Sequence, residues 1–405
     1  MTTATVIGGG PAGLIAAEEL ARAGVTVTVY DRMPSVPRKF LMAGHGGLNI
    51  THSEDLSAFL DRYGTAADAL APMLDVFGPD DLRAWCADLG ETTFVGSSGR
   101  VFPQSFSANP LVRAWLTRLR DTGVRLERRT RWAGWDDDGE LVLEDADGSV
   151  STVTSDVVLF ALGGASWPQL GSDGAWVGAF VDRGVRVTPM RPANVGLRVD
   201  WSEIFSERFA GVPLKNVALT IRGTSTTVRG DAMVTRTGIE GGPLYAIGAA
   251  IHRALDDGEC VLEVDLRPDL SAEQLETRLR RRRPKDSTSN WLRRTLGLDP
   301  VAAALLREAG PLPGDPAAMA VLVKTVPVPV AATMPIERAI STAGGVAWPE
   351  VDEALMLRRI PGTFVAGEML DWEAPTGGYL LQASYSTGVV AARGMLAWLG
   401  DHGGR

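Results

Sequence analysis

A loop near the amino terminus has the residue types and the spacing that hold a diphosphate. Residues 8–13 read Gly-Gly-Gly-Pro-Ala-Gly and match the pattern G-x-G-x-x-G. Its glycines allow a tight turn, a close approach of the backbone to a pyrophosphate, and close packing of a helix whose free N–H groups favour phosphate. Asp31 follows Gly13 by 18 residues (31 − 13), where a carboxylate accepts hydrogen bonds from a ribose hydroxyl. The loop therefore predicts a bound dinucleotide.

The residues around this loop predict the strand, helix and strand that must position it. Residues 4–7 form a short apolar β-type run, and residues 14–23 place apolar side chains on one helical face before Gly24. Residues 25–30 then alternate as a second strand that ends at Asp31. Because these elements occur in the required order, the motif is stronger evidence for a dinucleotide site than an isolated glycine pattern would be. The alternative, an ordinary glycine-rich turn, is disfavoured.

Three later segments have glycine-rich loops suited to the rest of a flavin nucleotide. Residues 38–51 (RKFLMAGHGGLNIT) can expose backbone N–H groups, although a long surface loop is the alternative. Residues 156–164 predict a buried parallel strand that ends in paired glycines. Residues 363–368 predict a strand followed by Gly-Glu, and a second glycine pair opens a helix over 379–398. The amino terminus of that helix would stabilise the electron-rich edge of a flavin, although an ordinary final strand and helix fit the same pattern.

The first loop alone does not distinguish FAD from NAD. Two alternatives stay open, because a fold does not fix a function. One is an NAD-dependent dehydrogenase with a single nucleotide fold, and the other is a non-catalytic flavin-binding sensor or scaffold. No second complete G-x-G-x-x-G occurs in the chain. Any nicotinamide is therefore expected to bind transiently, through the middle of the chain.

Composition sets the broad class of the protein. A chain of 405 residues with 45% hydrophobic and 22% charged residues predicts a globular protein of two or three domains. The net charge of −9 disfavours nucleic acid as a partner, and no apolar run reaches the ~18 residues that span a membrane. Cys86 and Cys260 are too few for a disulfide framework or a zinc site, so no metal is expected. With no basic leader at its amino terminus, the chain is expected to be soluble and cytoplasmic.

The pattern changes between residues 191 and 345. Alternating apolar residues predict a β-rich part over 191–265 and 320–345, with a helical part over 266–319. Ser271 and Gln274 form a capping box that begins a helix expected to run to Arg283. Its run of four arginines over 280–283 is interpreted as a solvated helix face rather than a nucleic-acid or phosphate site.

The motifs together resemble one family, the aminoacetone-oxidase-like FAD-binding proteins, which are NAD(P)/FAD-dependent oxidoreductases of the BaiN/YhiN type. The resemblance runs nearly from end to end, and its second and last blocks are distinctive. It is carried by GGGPAG at 8–13, KFLMAGHGGLNIT at 39–51, GGAS at 163–166, GDAMVTRTGIEGGP at 230–243 and GEMLDWEAPTGGYLLQ at 367–382.

The resemblance implies an α/β protein with a Rossmann-like FAD-binding domain of the two-dinucleotide-binding type. That domain would be discontinuous, formed by 1–190 and 346–405, with 191–345 inserted as a β-barrel-like and small helical domain. Non-covalent FAD would pass hydride or electron pairs between flavin N5 and a small-molecule substrate, with NAD(P)H as a transient reductant. The substrate would enter between the two domains, where pockets commonly form.

The resemblance also implies roles for particular residues. Asp31 would lie on the adenosine ribose, residues 39–51 along the pyrophosphate and flavin, Glu368 on the ribityl chain and residues 378–380 beside the isoalloxazine. His45 and His52 are the candidates for proton transfer, and no catalytic residue is otherwise assigned. Asp31 stands where the family more often has Glu, and His45 stands where Arg or Gly is expected. The candidate cofactor-binding residues are Gly8, Gly10, Pro11, Ala12, Gly13, Asp31, Arg32, Lys39, Gly44, Gly46, Asn49, Thr51, Trp132, Ala161, Leu162, Gly163, Gly367, Glu368, Asp371, Gly378, Tyr379, Leu380 and Gln382.

Overall fold

The computed structural model describes residues 2–43 and 47–402 and divides the chain into two compact units. The first unit combines residues 1–193 with 340–405, and the second unit consists of residues 194–339. Each unit has a large hydrophobic core of its own. Three of the candidate residues, Gly44, His45 and Gly46, lie outside the described residues.

The described part of the chain contains strands in both units. In chain order they are β1 (Thr3–Ile7), β2 (Thr26–Asp31), β3 (Thr51–His52), β4 (Thr93–Val95), β5 (Arg100–Pro103), β6 (Arg125–Arg128), β7 (Thr130–Trp135), β8 (Leu141–Asp145), β9 (Val150–Val153), β10 (Val157–Phe160), β11 (Val187–Ala193), β12 (Leu197–Arg198), β13 (Pro213–Ile221), β14 (Thr227–Thr235), β15 (Gly238–Glu240), β16 (Cys260–Asp265), β17 (Val326–Val330), β18 (Ala332–Thr333), β19 (Ser341–Val346) and β20 (Thr363–Val365).

Helices connect and cover these strands. In chain order they are α1 (Pro11–Arg22), α2 (Arg38–Ala43), α3 (Leu56–Asp61), α4 (Ala67–Val76), α5 (Pro79–Asp88), α6 (Ala108–Asp121), α7 (Val177–Asp182), α8 (Glu203–Phe209), α9 (Gly242–Tyr245), α10 (Gly248–Asp256), α11 (Ala272–Leu279), α12 (Thr288–Leu296), α13 (Pro300–Glu308), α14 (Pro316–Lys324) and α15 (Tyr379–His402). Short 3₁₀ turns occur at Gly64–Ala66, Pro168–Leu170, Ile336–Arg338, Trp348–Glu350 and Gly367–Met369.

The first unit is built on a five-stranded parallel sheet in the order β20-β10-β1-β2-β6. Strands β1 and β10 lie side by side although about 150 residues separate them in the sequence, and the carboxy-terminal strand β20 completes one edge. The sheet therefore has the strand order of a dinucleotide-binding fold, whose ligand crevice lies at the carboxyl ends of its strands. Three antiparallel groups, β3-β5-β4, β7-β8-β9 and β11-β19, complete this unit.

Helices α1 and α15 pack against each other beside the parallel sheet. Helix α1 begins after Gly10 with Pro11 at its first position, where proline's missing N–H costs nothing. Helix α15 begins at Tyr379 as the sequence predicted, but it continues to His402 rather than ending at Trp398. Its contact with α1 brings the two ends of the chain together in one core.

The second unit contains a seven-stranded antiparallel sheet in the order β17-β16-β13-β14-β15-β12-β18. Strands β17 and β18 occupy opposite edges of this order, yet only Ala331 separates them in the chain. Because one residue cannot cross a flat sheet, the sheet must curl round until its edges approach each other. The predicted barrel-like character follows from this closure.

The helical part of the second unit differs from the sequence prediction at one helix end. Ser271 and Gln274 form the expected capping box, but α11 ends at Leu279 instead of reaching Arg283. Pro284 disfavours helical geometry at the residue before it, so residues 280–283 form an exposed turn. The predicted helix over residues 280–283 was therefore wrong, although the arginines are solvent-exposed as expected.

Candidate dinucleotide-binding site

One cleft lies at the carboxyl edge of the parallel sheet. The loops after β1 and β10 and the turn after β20 all line it. Asp31, at the end of β2, and Lys39, on α2, add a carboxylate and an ammonium group to its wall. Residues from both ends of the sequence therefore share one wall.

The three motif glycines have different surroundings. A Cβ at Gly8 would lie 2.3 Å from the Ala161 carbonyl oxygen, and a Cβ at Gly13 would lie 2.0 Å from the Gly8 carbonyl oxygen. A Cβ at Gly10 would meet no atom of the described residues within 4 Å. Gly8 and Gly13 are thus required by the packing of the protein itself, whereas Gly10 borders open space in the cleft.

Asp31 fixes the loop through its carboxylate. Its oxygens accept hydrogen bonds from the backbone N–H groups of Gly9 and Met33, each at 2.7 Å. Burial raises the pKa of Asp31, and the N–H donors of Met33 and Gly9 and the Arg32 guanidinium oppose this only in part. Asp31 is therefore a partly desolvated acceptor at the edge of the cleft, suited to hydroxyl donors.

The wall of the cleft that includes Asp31 also contains buried polar atoms without hydrogen-bond partners in the described residues. The Arg32 Nη1 atom lies 2.5 Å from Asp173, but Arg32 Nε is buried and makes no hydrogen bond within the described residues. The same holds for Trp132 Nε1 and Ser172 Oγ. Buried polar atoms are nearly always paired in proteins, so these three atoms mark where a ligand supplies partners.

Glu368 joins the carboxy-terminal turn to the rest of the cleft. Its carboxylate lies 2.7 Å from Lys39 Nζ and accepts hydrogen bonds from the N–H groups of Thr342 (2.9 Å) and Gly164 (3.3 Å). Lys39 Nζ also donates to Ser166 Oγ at 2.7 Å. This network links Lys39, residues 164–166, Thr342 and Glu368, which lie in four separate segments, and keeps a carboxylate at the cleft surface.

A second group of predicted residues surrounds the start of α15. A Cβ at Gly378, which has φ of +98°, would lie 2.5 Å from the Thr51 backbone, so only glycine allows this approach. Asn49 Oδ1, Thr51 Oγ1 and Gln382 Oε1 are buried here and make no hydrogen bond within the described residues. This group also has polar atoms left for a ligand.

His52 and Tyr379 face each other in this second group. Their rings stack at 5.4 Å, the Tyr379 hydroxyl donates to Glu54 at 2.6 Å, and Arg62 pairs with the same carboxylate at 2.7 Å. His52 Nδ1 accepts a hydrogen bond from the Glu54 backbone N–H at 3.2 Å, and His52 Nε2 lies 3.0 Å from the Ser98 carbonyl oxygen. Both ring nitrogens of His52 therefore have partners within the protein. A proton-transfer role for His52 stays a prediction.

The structure brings most of the predicted cofactor residues together. Those that line the cleft are Gly8, Gly10, Pro11, Ala12, Asp31, Arg32, Lys39, Trp132, Ala161, Leu162, Gly163, Gly367 and Glu368. Those that lie outside its lining are Gly13, Asn49, Thr51, Asp371, Gly378, Tyr379, Leu380 and Gln382. Gly13 acts through packing, and Asp371 accepts a hydrogen bond from Thr188 at 2.6 Å instead of facing the cleft.

Sequence reasoning missed several residues of the cleft wall. Ser172, Trp176, Met33 and Ser384 line the cleft, and Trp176 Nε1 donates to the Gly163 carbonyl at 2.9 Å. Ser172 and Trp176 follow the glycine pair of residues 163–164 within one loop, which was the available signal. No sequence signal pointed to Ser384, because its position in the cleft wall depends on how α15 packs.

The arrangement fits an FAD. Open space at Gly10 leaves room for a pyrophosphate, and unpartnered donors on Arg32 and Trp132 belong to the same cleft as the Asp31 carboxylate. The unpartnered oxygens of Asn49, Thr51 and Gln382 lie in the second group, around the start of α15. No cluster of metal-binding side chains and no helix capable of crossing a membrane occurs in residues 2–43 and 47–402.

A comparison with protein families decides the assignment. The profile described as HI0933-like protein Rossmann domain matches residues 2–394, which is nearly the entire chain. The chain belongs to the HI0933-like family. The resemblance drawn from the motifs is confirmed, and so is the Rossmann-type α/β fold with additional antiparallel sheets.

Two curated relatives match over almost their full lengths. A 3-dehydro-bile acid Δ(4,6)-reductase of Clostridium scindens is 27% identical over 404 residues, which cover 96% of this chain and 97% of the relative. A ribosomal RNA dihydrouridine synthase of Escherichia coli is 25% identical over 413 residues, covering 97% of this chain and 98% of the relative. These relatives and the family make this HI0933-like protein an FAD-dependent oxidoreductase, as the sequence predicted.

The fold is shared with a dehydrogenase of known structure. The 3-ketosteroid Δ1-dehydrogenase of Sterolibacterium denitrificans superposes with a TM-score of 0.56 at 13% identity, covering 98% of this chain and 100% of that one. At this identity the likeness shows a common fold, which extends over both units of the HI0933-like chain.

Proposed function

We propose that this protein reduces a carbon–carbon double bond conjugated to a carbonyl group in a small-molecule substrate, with NAD(P)H as the transient reductant. The name of the C. scindens relative describes reduction of a 3-dehydro bile acid at its Δ(4,6) double bonds. The name of the E. coli relative describes formation of dihydrouridine in ribosomal RNA. Both names describe saturation of a double bond that is in conjugation with a carbonyl group. Such a reaction needs a hydride at the β carbon and a proton at the α carbon.

The observation that carries the proposal is the cleft built from both ends of the chain. Bound FAD supplies hydride transfer at N5, and the protein supplies binding, orientation and electrostatics. Gly10 and the start of α1 would bind the pyrophosphate, and Asp31 would accept hydrogen bonds from the adenosine ribose. Glu368, whose carboxylate accepts a hydrogen bond from Lys39, would accept hydrogen bonds from the ribityl hydroxyls.

The residues around the start of α15 would hold the flavin ring and favour negative charge on it. The N–H groups of the first turn of α15 carry partial positive charge, which would favour negative charge on a flavin bound beside them. The side-chain oxygens of Asn49 and Gln382, which are buried without partners, would accept hydrogen bonds from N–H donors on the ring. The helix terminus would in this way assist reduction of the bound cofactor.

We favour a small molecule over RNA as the substrate because of the charge of this chain. The net charge of −9 repels a polyanion. The arginine run over 280–283 is partly engaged within the protein, since Arg280 pairs with Glu276 and Arg282 lies over the Trp291 ring at 4.5 Å. These contacts leave less of the run available for phosphates.

Anaerobic turnover of the holoenzyme tests this proposal. The purified protein is mixed with NADH or NADPH and then with a 3-keto-Δ4 steroid, a simple cyclic enone, or transcribed ribosomal RNA. We expect NAD(P)H to bleach the flavin without forming a long-lived complex, and a carbonyl-conjugated small molecule to restore its colour with saturation of the double bond. Reoxidation by RNA alone, or by no alkene at all, would refute the proposed substrate class.

A further inference from the structure

A loop that follows β10 joins the two sides of the cleft. Strands β10 and β2 lie on opposite sides of β1 in the parallel sheet, which places them about 10 Å apart. Residues 167–173, which follow β10, nevertheless contact Arg32 and Met33, which follow β2. These residues also line the cleft at Leu170 to Asp173. We call residues 167–173 the bridging loop.

Arg32 makes two contacts with the bridging loop. Its Nη1 atom lies 2.5 Å from Asp173 Oδ2, and its Nη2 atom donates to the Pro168 carbonyl oxygen at 2.9 Å. A Cβ at Gly171 would lie 3.0 Å from Met33 Cγ, so the loop also packs on the residue after Arg32. Because every partner in these contacts belongs to the protein, the contacts can form with or without a bound cofactor.

The base of the bridging loop is fixed by other hydrogen bonds. The Gly174 N–H donates to the Gly164 carbonyl at 3.1 Å, and Trp176 Nε1 donates to the Gly163 carbonyl at 2.9 Å. Trp167, the first residue of the loop, has φ of +61°, a conformation that bulky residues rarely adopt and that surrounding contacts must maintain. The contacts with Arg32 are therefore the ones that can break while the base of the loop stays in place.

The bridging loop has an inner side that belongs to the cofactor site. Ser172 is 5% exposed and lines the cleft, and its hydroxyl makes no hydrogen bond within the described residues. Asp173 is exposed and pairs with Arg32, whose buried Nε atom also makes no hydrogen bond there. Arg32 thus uses its Nη atoms for the loop and keeps one donor for a ligand. A dinucleotide in this cleft would contact residues 8–12 and the bridging loop together.

We infer that the Arg32–Asp173 ion pair controls the rate at which the dinucleotide cofactor enters and leaves the cleft. The inference rests on the proposed placement of FAD in this cleft and is independent of the substrate. Passage of the cofactor requires the bridging loop to move away from Arg32, so the pair must break in both directions. The side chains of Arg32 and Asp173 are 28% and 32% exposed, so water and salt compete for the pair and allow it to open.

Asp173→Asn removes the ion pair with little change to the loop. Asp173 Oδ1 accepts a hydrogen bond from the Ala175 N–H at 3.1 Å, and asparagine keeps an oxygen for this bond. Only the oxygen that faces Arg32 is lost. Asp182→Asn is the matched control, because Asp182 is an exposed residue of α7 outside the cleft lining and its substitution changes the net charge equally. Arg32→Gln removes the same pair from the other side.

The rates are measured in both directions. Stopped-flow mixing of apoprotein with FAD gives the association rate, and transfer of FAD from the holoenzyme to an excess of an unrelated FAD-binding apoprotein gives the release rate. We expect Asp173→Asn to raise both rates about 5-fold, the upper end for a partly exposed ion pair. The dissociation constant should change less than about 2-fold, because the pair opens more easily with and without FAD.

Two further comparisons isolate the ion pair. Asp182→Asn should have the association and release rates of the wild type. When Asp173→Asn is added to Arg32→Gln, the association rate should not rise further, because the pair is already absent. Thermal unfolding of the apoproteins confirms that each variant is folded.

The outcomes separate this inference from the proposed function. Unchanged rates in Asp173→Asn would overturn the inference and leave the proposed reaction intact. Faster release with an unchanged association rate would also overturn it, since Asp173 would then act only on the bound cofactor. If both rates rise but the wild type reduces no conjugated alkene, the inference is supported and the proposed function is refuted. If neither the wild type nor any variant binds FAD, both are refuted.

Discussion

Two glycines of the same motif, Gly10 and Gly13, differ in how closely other protein atoms surround them. Gly13 is surrounded by the protein, since its Cβ would collide with the Gly8 carbonyl oxygen at 2.0 Å. Gly10 faces open space, so a side chain there would meet the ligand rather than the protein. In this motif Gly13 is therefore required for folding and Gly10 for binding of the ligand. Substitutions of the two glycines separate these requirements.

We expect Gly10→Ala to fold with the stability of the wild-type apoprotein and to bind FAD at least 10-fold more weakly. Gly13→Ala should lower the stability of the apoprotein by about 1–3 kcal/mol, because an inserted methyl group forces the backbone to move. Thermal unfolding of apoproteins and FAD titration measure both quantities. Gly178→Ala, where a Cβ meets no described atom within 4 Å, is the control. Equal destabilisation by Gly10→Ala and Gly13→Ala would contradict this account.

Glu54 links stability to pH. Burial alone would raise the pKa of Glu54, but hydrogen bonds from Arg62 and Tyr379 outweigh it, so the pKa lies below its usual range. An acid whose pKa is lowered by folding contributes stability above its unfolded pKa of about 4.3, and this contribution is lost as the pH falls through the folded value. Glu54→Gln should therefore reduce the free energy of unfolding by about 1–2 kcal/mol at neutral pH.

The difference between Glu54→Gln and the wild type should shrink as the solution is acidified below about pH 4. Thermal midpoints recorded along a pH series test this, with Glu207→Gln, an exposed glutamate on α8, as the control. A difference that is constant across the series would mean that the carboxylate charge of Glu54 is not what stabilises this group.

At the scale of elements, the contact between α1 and α15 holds the two chain ends in place. A Cβ at Gly388 would lie 2.5 Å from the Ala12 carbonyl oxygen, so the two helices touch through backbone at the point where α1 begins. The neighbouring Thr387 hydroxyl accepts a hydrogen bond from the Gly367 N–H at 2.9 Å. One turn of α15 thus positions both the first loop and the turn that bears Glu368.

Gly388→Ala tests this contact. We expect it to destabilise the protein by about 1–3 kcal/mol and to weaken FAD binding, because α15 must move away from α1. Gly400→Ala, near the end of the same helix and with no described atom near its Cβ, should be neutral or stabilising by up to about 1 kcal/mol. Chemical unfolding with and without FAD measures both effects. Full FAD affinity in Gly388→Ala would show that the helix contact does not shape the site.

Features set by short stretches of sequence could be predicted, and features set by distant packing could not. The first loop, the strand before Gly163 and the start of α15 at Tyr379 depend on local glycine and apolar patterns. The end of α11 was missed, although Pro284 gave a local signal. Gly388 and Ser384 were missed because nothing near them in sequence indicates that α15 packs on α1.

The candidate site shows the same division. Asp31, Lys39 and Glu368 could be found from their motifs, but the hydrogen bonds among Lys39, Ser166 and Glu368 depend on three segments meeting in space. Asp371 lies in the same sequence motif as Glu368. Its carboxylate, however, accepts a hydrogen bond from the Thr188 hydroxyl and does not line the cleft. A sequence motif predicts which residues lie near a ligand. Which of these residues face the ligand depends on the fold.

At the scale of the whole molecule, the first unit is made from the two ends of the chain. Its core contains side chains of β1, β10, β20 and α15, so residues far apart in sequence form one compact body. A ligand that binds only the folded form stabilises that form, by about 4 kcal/mol at a thousand times its dissociation constant. FAD that contacts both Gly10 and Glu368 would therefore stabilise the association of the two ends.

The central claim is that the two ends of this chain together bind one FAD. The most direct test is to purify the native protein without added cofactor, denature it, and identify and quantify the released chromophore by mass spectrometry. We expect FAD, released without covalent attachment, at about one molecule per chain. Release of NAD in its place, or a colourless protein that takes up no FAD when it is supplied, would contradict the account.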